Sequence, residues 1–312
     1  TASNRLSVLS PTGRPIFGSP ITSGGLDGTG WGVAVTEKGR VWVGNYHGGS
    51  MSEFTNLGKP ATAGAFAKKQ LDATQGLAVD FDGNVWASSN GNDRVVRFAG
   101  GDRSRIKVIT GGGIEKPFGI SVDAAGNIFV ANAGKHGSVT KLDGKGNPYK
   151  GSPFKFPATS SPKGMAVDRA GNVWVADFLA DAVHVLDNDG AELPFAPVAA
   201  TTLDGAWGLA LDGDENVWVA SFLLKRLTKL CGRHVETCPP GSKMGDVISP
   251  PGGFRSEGFQ HLTGVSVDSS GNLWVANNWA TLKPISGGDG LVSIIGIAAP
   301  VKTPLIGPPQ RP

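Results

Sequence analysis

Short runs of alternating apolar and polar residues recur along this chain, and one such run returns six times. Its first half opens on a variable residue followed by glycine: Trp31-Gly-Val-Ala-Val, Gln75-Gly-Leu-Ala-Val, Phe118-Gly-Ile-Ser-Val, Lys163-Gly-Met-Ala-Val, Trp207-Gly-Leu-Ala-Leu and Thr263-Gly-Val-Ser-Val. The second half is a run such as Val41-Trp-Val-Gly-Asn45 or Val173-Trp-Val-Ala-Asp177. Period-two patterning and β-branched residues predict a strand for each half. Asp-x-x-Gly-Asn joins the halves in most copies, because Gly and Asn tolerate the positive φ of a tight hairpin. Two weaker strands follow, as at Arg94–Phe98 and Ser138–Leu142.

The repeat glycines, Gly32, Gly76, Gly119, Gly164, Gly208 and Gly264, stand about 44 residues apart, with the last interval about a dozen residues longer. Four antiparallel strands in that span make one propeller blade. The chain is therefore predicted to be all-β: a single β-propeller domain over residues 1–312, with six blades of four antiparallel strands. Seven blades are the alternative, with an inner strand pair upstream of Thr1. In the six-bladed case the N-terminal segment, residues 4–13, closes the sixth blade, because it matches the outer-strand half of a copy, and Gly290-Leu-Val-Ser-Ile-Ile295 at the C-terminus is the other candidate for an outer strand.

Three columns of the repeat read as structural. Ala34, Ala78, Ser121, Ala166, Ala210 and Ser266 are small because the inner strands converge there. Trp42, Trp86, Phe129, Trp174, Trp218 and Trp274 are predicted to pack blade against blade. Asp80, Asp123, Asp168, Asp212 and Asp268 are predicted to form hairpin turns rather than a repeated calcium site.

Composition narrows the function. A hydrophobic share of 39% supports a packed core, and 47 glycines with 21 prolines require many turns. Net charge is only +3 with no long basic cluster, which gives nucleic acid no footprint. No apolar run has the length of a transmembrane segment. Cys231 and Cys238 fall in the lengthened interval, an insertion at about residues 231–262, and are predicted to form a disulfide that staples a surface loop. A metal pair with His234 is the alternative, but it lacks a fourth ligand. A disulfide implies an oxidising compartment, so the protein is expected to be secreted or periplasmic, and monomeric. A Pro-rich tail covers about residues 300–312.

In each hairpin the start of the first strand and the end of the second lie at one end, so both open on one axial face. The residues before the repeat glycines form one ring: Trp31, Gln75, Phe118, Lys163, Trp207 and Thr263. Those fourteen positions on form another: Asn45, Ser89, Asn132, Asp177, Ser221 and Asn277. Adjacent loops add Tyr46, His47, Phe178, Phe222, Asn278 and Trp279. Five of the eight tryptophans occupy the packing column, and the other three, Trp31, Trp207 and Trp279, all fall on this face. Flat apolar faces stack and amides orient, so this face is the predicted small-ligand pocket. The alternative is that large residues only plug the channel.

Four residues are candidates for catalysis. Lys163 and Asp177 are predicted neighbours, either as an ion pair or as an acid/base pair with a lysine weakened by burial. His47, in a Gly-rich loop, is the accessible general base. His261 lies two residues before Thr263. Asp177 is the lone carboxylate of the two rings and the candidate ligand for a divalent cation, Mg or Ca, with Asn45, Asn132 and Asn277 beside it. No Gly-x-Ser-x-Gly elbow, phosphate-binding loop or His-x-x-x-His motif is present.

Residues from about 30 to 280 resemble the NHL-repeat class of propellers, and more closely the streptogramin-lyase-like (virginiamycin B lyase) branch. The Gly-Leu-Ala strand, the Gly-Asn turn and the Val-Trp-Val-Ala strand carry the likeness. The resemblance implies the fold, which hosts lyases, lactonases and binding modules alike. In the lyases it implies a His before the repeat Gly as base and a Glu fourteen residues on that helps hold magnesium. Neither ring here contains His or Glu, and the sixth copy carries Thr263 and Asn277 instead. Two functions follow as expectations. One is an exported propeller that binds a small molecule or a protein partner at the axial face. The other is a metal-assisted lyase or lactonase acting there through Asp177, His47, His261 and Lys163.

Overall fold

The structure, a computed structural model, describes residues 4–157, 159–279 and 290–301. Within them lie six antiparallel sheets of three or four strands. Their first strands are Thr29–Val35, Thr74–Val79, Pro117–Val122, Pro162–Val167, Ala206–Leu211 and His261–Val267. Each pairs through the Asp-x-x-Gly-Asn hairpin, or its variant, with a second strand, and the second with a third. Sheets two, three and four add a fourth strand: Ile106–Ile109, Phe154–Lys155 and Val198–Ala199. In the first and fifth sheets only isolated bridges stand there, Met51 with Phe66, Phe54 with Pro60, Leu227 with Phe254 and Leu230 with Val247. The expected four strands are thus cut short where Gly- and Pro-rich connections cannot sustain a ladder, since Pro has no N–H to donate.

Register explains the small and aromatic columns together. Ala34 lies opposite Trp42, Ala78 opposite Trp86, and Ser121 opposite Phe129, and the later sheets repeat the match. In the first five sheets the large ring then enters the next sheet. Trp42 packs with Ala87, Val96 and Phe98. Trp86 packs with Ile128 and Val130, and Trp174 with Val217 and Val219. Trp42, Trp86, Trp174 and Trp218 are fully buried, so truncating one to Ala removes about 3–5 kcal/mol.

The turn aspartates also anchor those rings. Asp80 Oδ1 accepts the backbone N–H groups of Asp82 and Asn84, and Oδ2 accepts Asn84 Nδ2 at 2.7 Å and Trp86 Nε1 at 2.8 Å. Asp168, Asp212 and Asp268 hold Trp174, Trp218 and Trp274 in the same way. Their oxygens are committed to the turn and the ring. The first copy has Thr36 in place of Asp, and there Trp42 Nε1 is buried without an acceptor.

First strands pack on one another in chain order, from the first sheet to the sixth. The contact is backbone to backbone. A Cβ on Gly32, Gly76, Gly119, Gly164 or Gly208 would collide with the carbonyl oxygen of Gln75, Phe118, Lys163, Trp207 or Thr263 in the next sheet. Gly264 differs, since a Cβ there would meet only Ala276 of its own sheet among the described residues.

That exception marks the junction between the sixth and first sheets. The N-terminal hairpin, bridged at Leu6–Ile21 and Leu9–Pro15, packs Leu6, Val8 and Ile21 on Val41, Val43 and Phe54 of the first sheet. Among the described residues no ladder joins it to the sixth sheet, as closure by residues 4–13 would require. Its apolar side chains are already used by the first sheet. Cys231 and Cys238 are joined in a disulfide, with Cα atoms 5.9 Å apart, inside the insertion. The Pro-rich tail beyond residue 301 lies outside the described residues. Among the described residues no helix is long and apolar enough to cross a membrane.

Candidate functional site: an aromatic pocket on the axis

A register shift interrupts every first strand at or beside its repeat glycine. Such a bulge bends the strand and re-aims the neighbouring side chain. Here it turns large residues toward the hub. Trp31, Phe118 and Trp207, from alternate sheets, meet there with ring centroids 5.2–6.0 Å apart. Phe178 and Phe222 extend the cluster from Trp207, at 5.3 and 5.0 Å. Trp31, Phe118 and Trp207 come from the first strands of sheets one, three and five, and the intervening sheets supply Gln75, Lys163 and Thr263.

Trp31, Phe118, Lys163, Trp207, Thr263 and Asn277 border one cavity of about 760 Å³. Its far walls are the N-terminal hairpin, with Arg5 and Ser7, and the sixth sheet, with Asn278 and Leu291. The pocket therefore opens at the junction between the sixth and first sheets.

Lys163 is the unusual group in it. Its Nζ lies 4.7 Å from the Phe118 centroid, 5.4 Å from Trp207 and 6.0 Å from Phe178. The rings attract a cation through their negative faces. Burial nonetheless pushes the ammonium down to about 8, against the opposing pull of the Asp177 charge. Among the described residues no carboxylate lies within ion-pair distance of Lys163.

The second ring turns the other way, into the sheets. Asn45 Oδ1 accepts the Asp27 N–H, and its Nδ2 donates to Ser50 Oγ and Ser52 Oγ. Asn132 does the same with Glu115, Ser138 and Thr140. Ser89 bonds both main-chain groups of Asp72, Ser221 donates to the Thr202 carbonyl, and Asn277 accepts the Gln260 N–H. Asp177 Oδ1 accepts three backbone N–H groups, from Ser161, Leu179 and Ala180. These side chains tie the incoming loop to the end of the second strand. Of the six, only Asn277 also borders the cavity.

The other oxygen of Asp177 faces His184 Nε2 at 3.5 Å, a charge contact rather than a well-formed hydrogen bond. His184 Nδ1 in turn meets Glu192 at 2.5 Å, and its ring stacks on Phe156 at 4.1 Å. Burial opposes charge on His184, but its contacts with the Asp177 and Glu192 carboxylates win and raise it above the ordinary histidine range. Burial likewise works against the Asp177 carboxylate, and the contact with His184 together with backbone hydrogen bonds outweighs it and holds it below the usual range.

The remaining candidates scatter. Gln75 is buried and does not border the cavity. His261 is buried beneath Phe222, its Nδ1 2.8 Å from the Phe222 carbonyl oxygen, so it holds a loop. His47 is exposed and stacks edge-on with Tyr46 at 5.3 Å, away from the pocket. The side chain of Trp279 lies outside the described residues.

A divalent ion, as the resemblance implies, does not fit these residues. Among the described residues no three His, Cys, Asp or Glu side chains cluster as ligands. Asp177 has one oxygen saturated by backbone donors and the other against His184.

No protein-family model matches the sequence, and no curated protein matches it. Solved structures do. A streptogramin B lyase aligns over 84% of this chain and 81% of its own, with a TM-score of 0.61 and 15% identity. A catalytically inactive virginiamycin B lyase from Staphylococcus aureus, solved with quinupristin, aligns over 86% and 84%, also at 0.61 and 15%. A nidogen/laminin complex aligns over 83% and 92%, with a TM-score of 0.59 and 15% identity. With gluconolactonase-like structures also among the matches, the chain has the β-propeller fold shared by these proteins and the streptogramin lyases.

Proposed function

We propose that this chain is a six-bladed propeller that binds a small molecule with a flat apolar face in its axial pocket. One observation carries the reading: Trp31, Phe118 and Trp207 converge from alternate sheets on the wall of a 760 Å³ cavity. The volume is in the range of small-molecule sites, and the aromatic wall stands beside polar groups such as Arg5, Lys163, Thr263 and Asn278 that can orient a ligand. The disulfide and the Gly- and Pro-rich surface favour an exported protein acting as a monomer. A screen of aromatic small molecules by ligand-observed NMR tests the proposal. Saturable binding that weakens in Trp31→Ala, with the circular-dichroism spectrum unchanged, supports it. Equal binding by both proteins counts against it.

The likeness to lyase and gluconolactonase-like structures favours a second reading, an enzyme at the same face. In that case Lys163 is the residue of the four candidates that borders the cavity, and a metal would need donors other than Asp177, His47 and His261. Metal analysis of protein purified without chelator separates the readings. A stoichiometric divalent ion favours the enzyme.

A further inference from the structure

We propose that the pocket's ligand is an aryl carboxylate, an acid whose flat ring stacks on Trp31 and Trp207 and whose carboxylate is bound by Lys163 and Asn278. This rests on the pocket reading above and specifies its charge. The wall of the cavity is one-sided: among the described residues it includes two cations, Arg5 and Lys163, and no Asp or Glu. Lys163 is held among aromatic rings without a counter-ion in ion-pair distance among the described residues. Asn278 is almost wholly buried, and its side-chain Nδ2 has no hydrogen-bond partner.

The Asn278 Nδ2 and the Lys163 ammonium thus both face the pocket without an anionic partner among the described residues, and an unmade bond to a buried donor is costly. A ligand oxygen that accepts from Asn278 and neutralises Lys163 removes both costs at once. A neutral ligand removes at most one, and a cationic ligand is repelled by Lys163 and Arg5. The ring cluster accounts for the flat portion, since aromatic groups prefer offset or edge-on contact with such faces.

The test uses matched pairs of acid and amide on the full chain at pH 7: indole-3-acetate with indole-3-acetamide, and 2-naphthoate with 2-naphthamide, by titration calorimetry. The expected result is that each acid binds roughly tenfold or more tightly than its amide, as charged hydrogen bonds allow. In Lys163→Met the preference of acid over amide disappears. Asn278→Ala reduces acid binding with Lys163 in place. Equal affinity of acid and amide, or preference for the amide, overturns the carboxylate inference and leaves the pocket reading standing. Binding of neither member of either pair overturns both.

Discussion

Lys163 and Asp177 lie on paired strands of one sheet but do not pair with each other. Asp177 Oδ2 is 3.5 Å from His184 Nε2, while Lys163 Nζ sits 4.7 Å from the Phe118 centroid. The carboxylate is used to hold the sheet, and the cation is left to the pocket. That division separates structure from function in this fourth sheet.

It has a consequence for stability. An unfolded lysine titrates near about 10.4, and the folded Lys163 near 8. Between these values the unfolded chain binds more protons, so stability rises with pH from about 8 to about 10.4. Below that window the buried charge is a constant cost. Lys163→Met is therefore expected to stabilise the fold at pH 7 by on the order of 1–3 kcal/mol and to remove the alkaline rise. Urea unfolding at pH 7, 9 and 10.5 checks both.

The Asp177–His184 pair has the opposite signs. His184 is raised, so its contribution is full below about 6.5 and is lost as pH climbs through the raised value. Asp177 is lowered, so its contribution holds above about 3.9 and is lost as pH falls through the lowered value. Asp177→Asn is expected to destabilise by about 3 kcal/mol, as for a broken buried pair, and His184→Gln to flatten the loss as pH climbs above about 6.5. Thermal melts from pH 3 to 9 measure these changes.

Glycine contacts give a test of the sheet-to-sheet packing. Gly119→Ala drives a Cβ into the Lys163 carbonyl of the next sheet and should cost about 1–3 kcal/mol, in the range of overpacking. Gly264→Ala meets only Ala276 Cβ, at 3.3 Å, and should cost clearly less. The pair of denaturant midpoints decides it. Equal losses would mean that the sixth sheet is packed like the others.

Much of this was legible in the chain. The recurrence of Gly, small, Asp and Trp positions predicts the strands and their packing, because each is a local demand of one sheet on the next. The Asp80–Trp86 bond was also within reach, since Asp precedes Trp by six positions in four copies, but spacing alone does not say that two side chains turn to one another. The second ring divides for a similar reason. Asn45, Ser89, Asn132, Asp177 and Ser221 end second strands with their side chains bonded inside the sheets while Asn277 also borders the cavity, and strand position does not tell which way a side chain turns. Their shared character, short and polar, is that of groups that bond nearby backbone. His184 was out of reach, because its meeting with Asp177 depends on the register of two strands and on Phe156 from the preceding sheet.

The most direct test of the axial pocket is the affinity of indole-3-acetate for the wild-type chain and for Trp207→Ala, with folding checked by near-ultraviolet circular dichroism. Saturable binding that falls by about tenfold or more in the variant, the scale of a lost aromatic contact, is the predicted result. Undiminished binding in a folded Trp207→Ala protein would contradict the pocket.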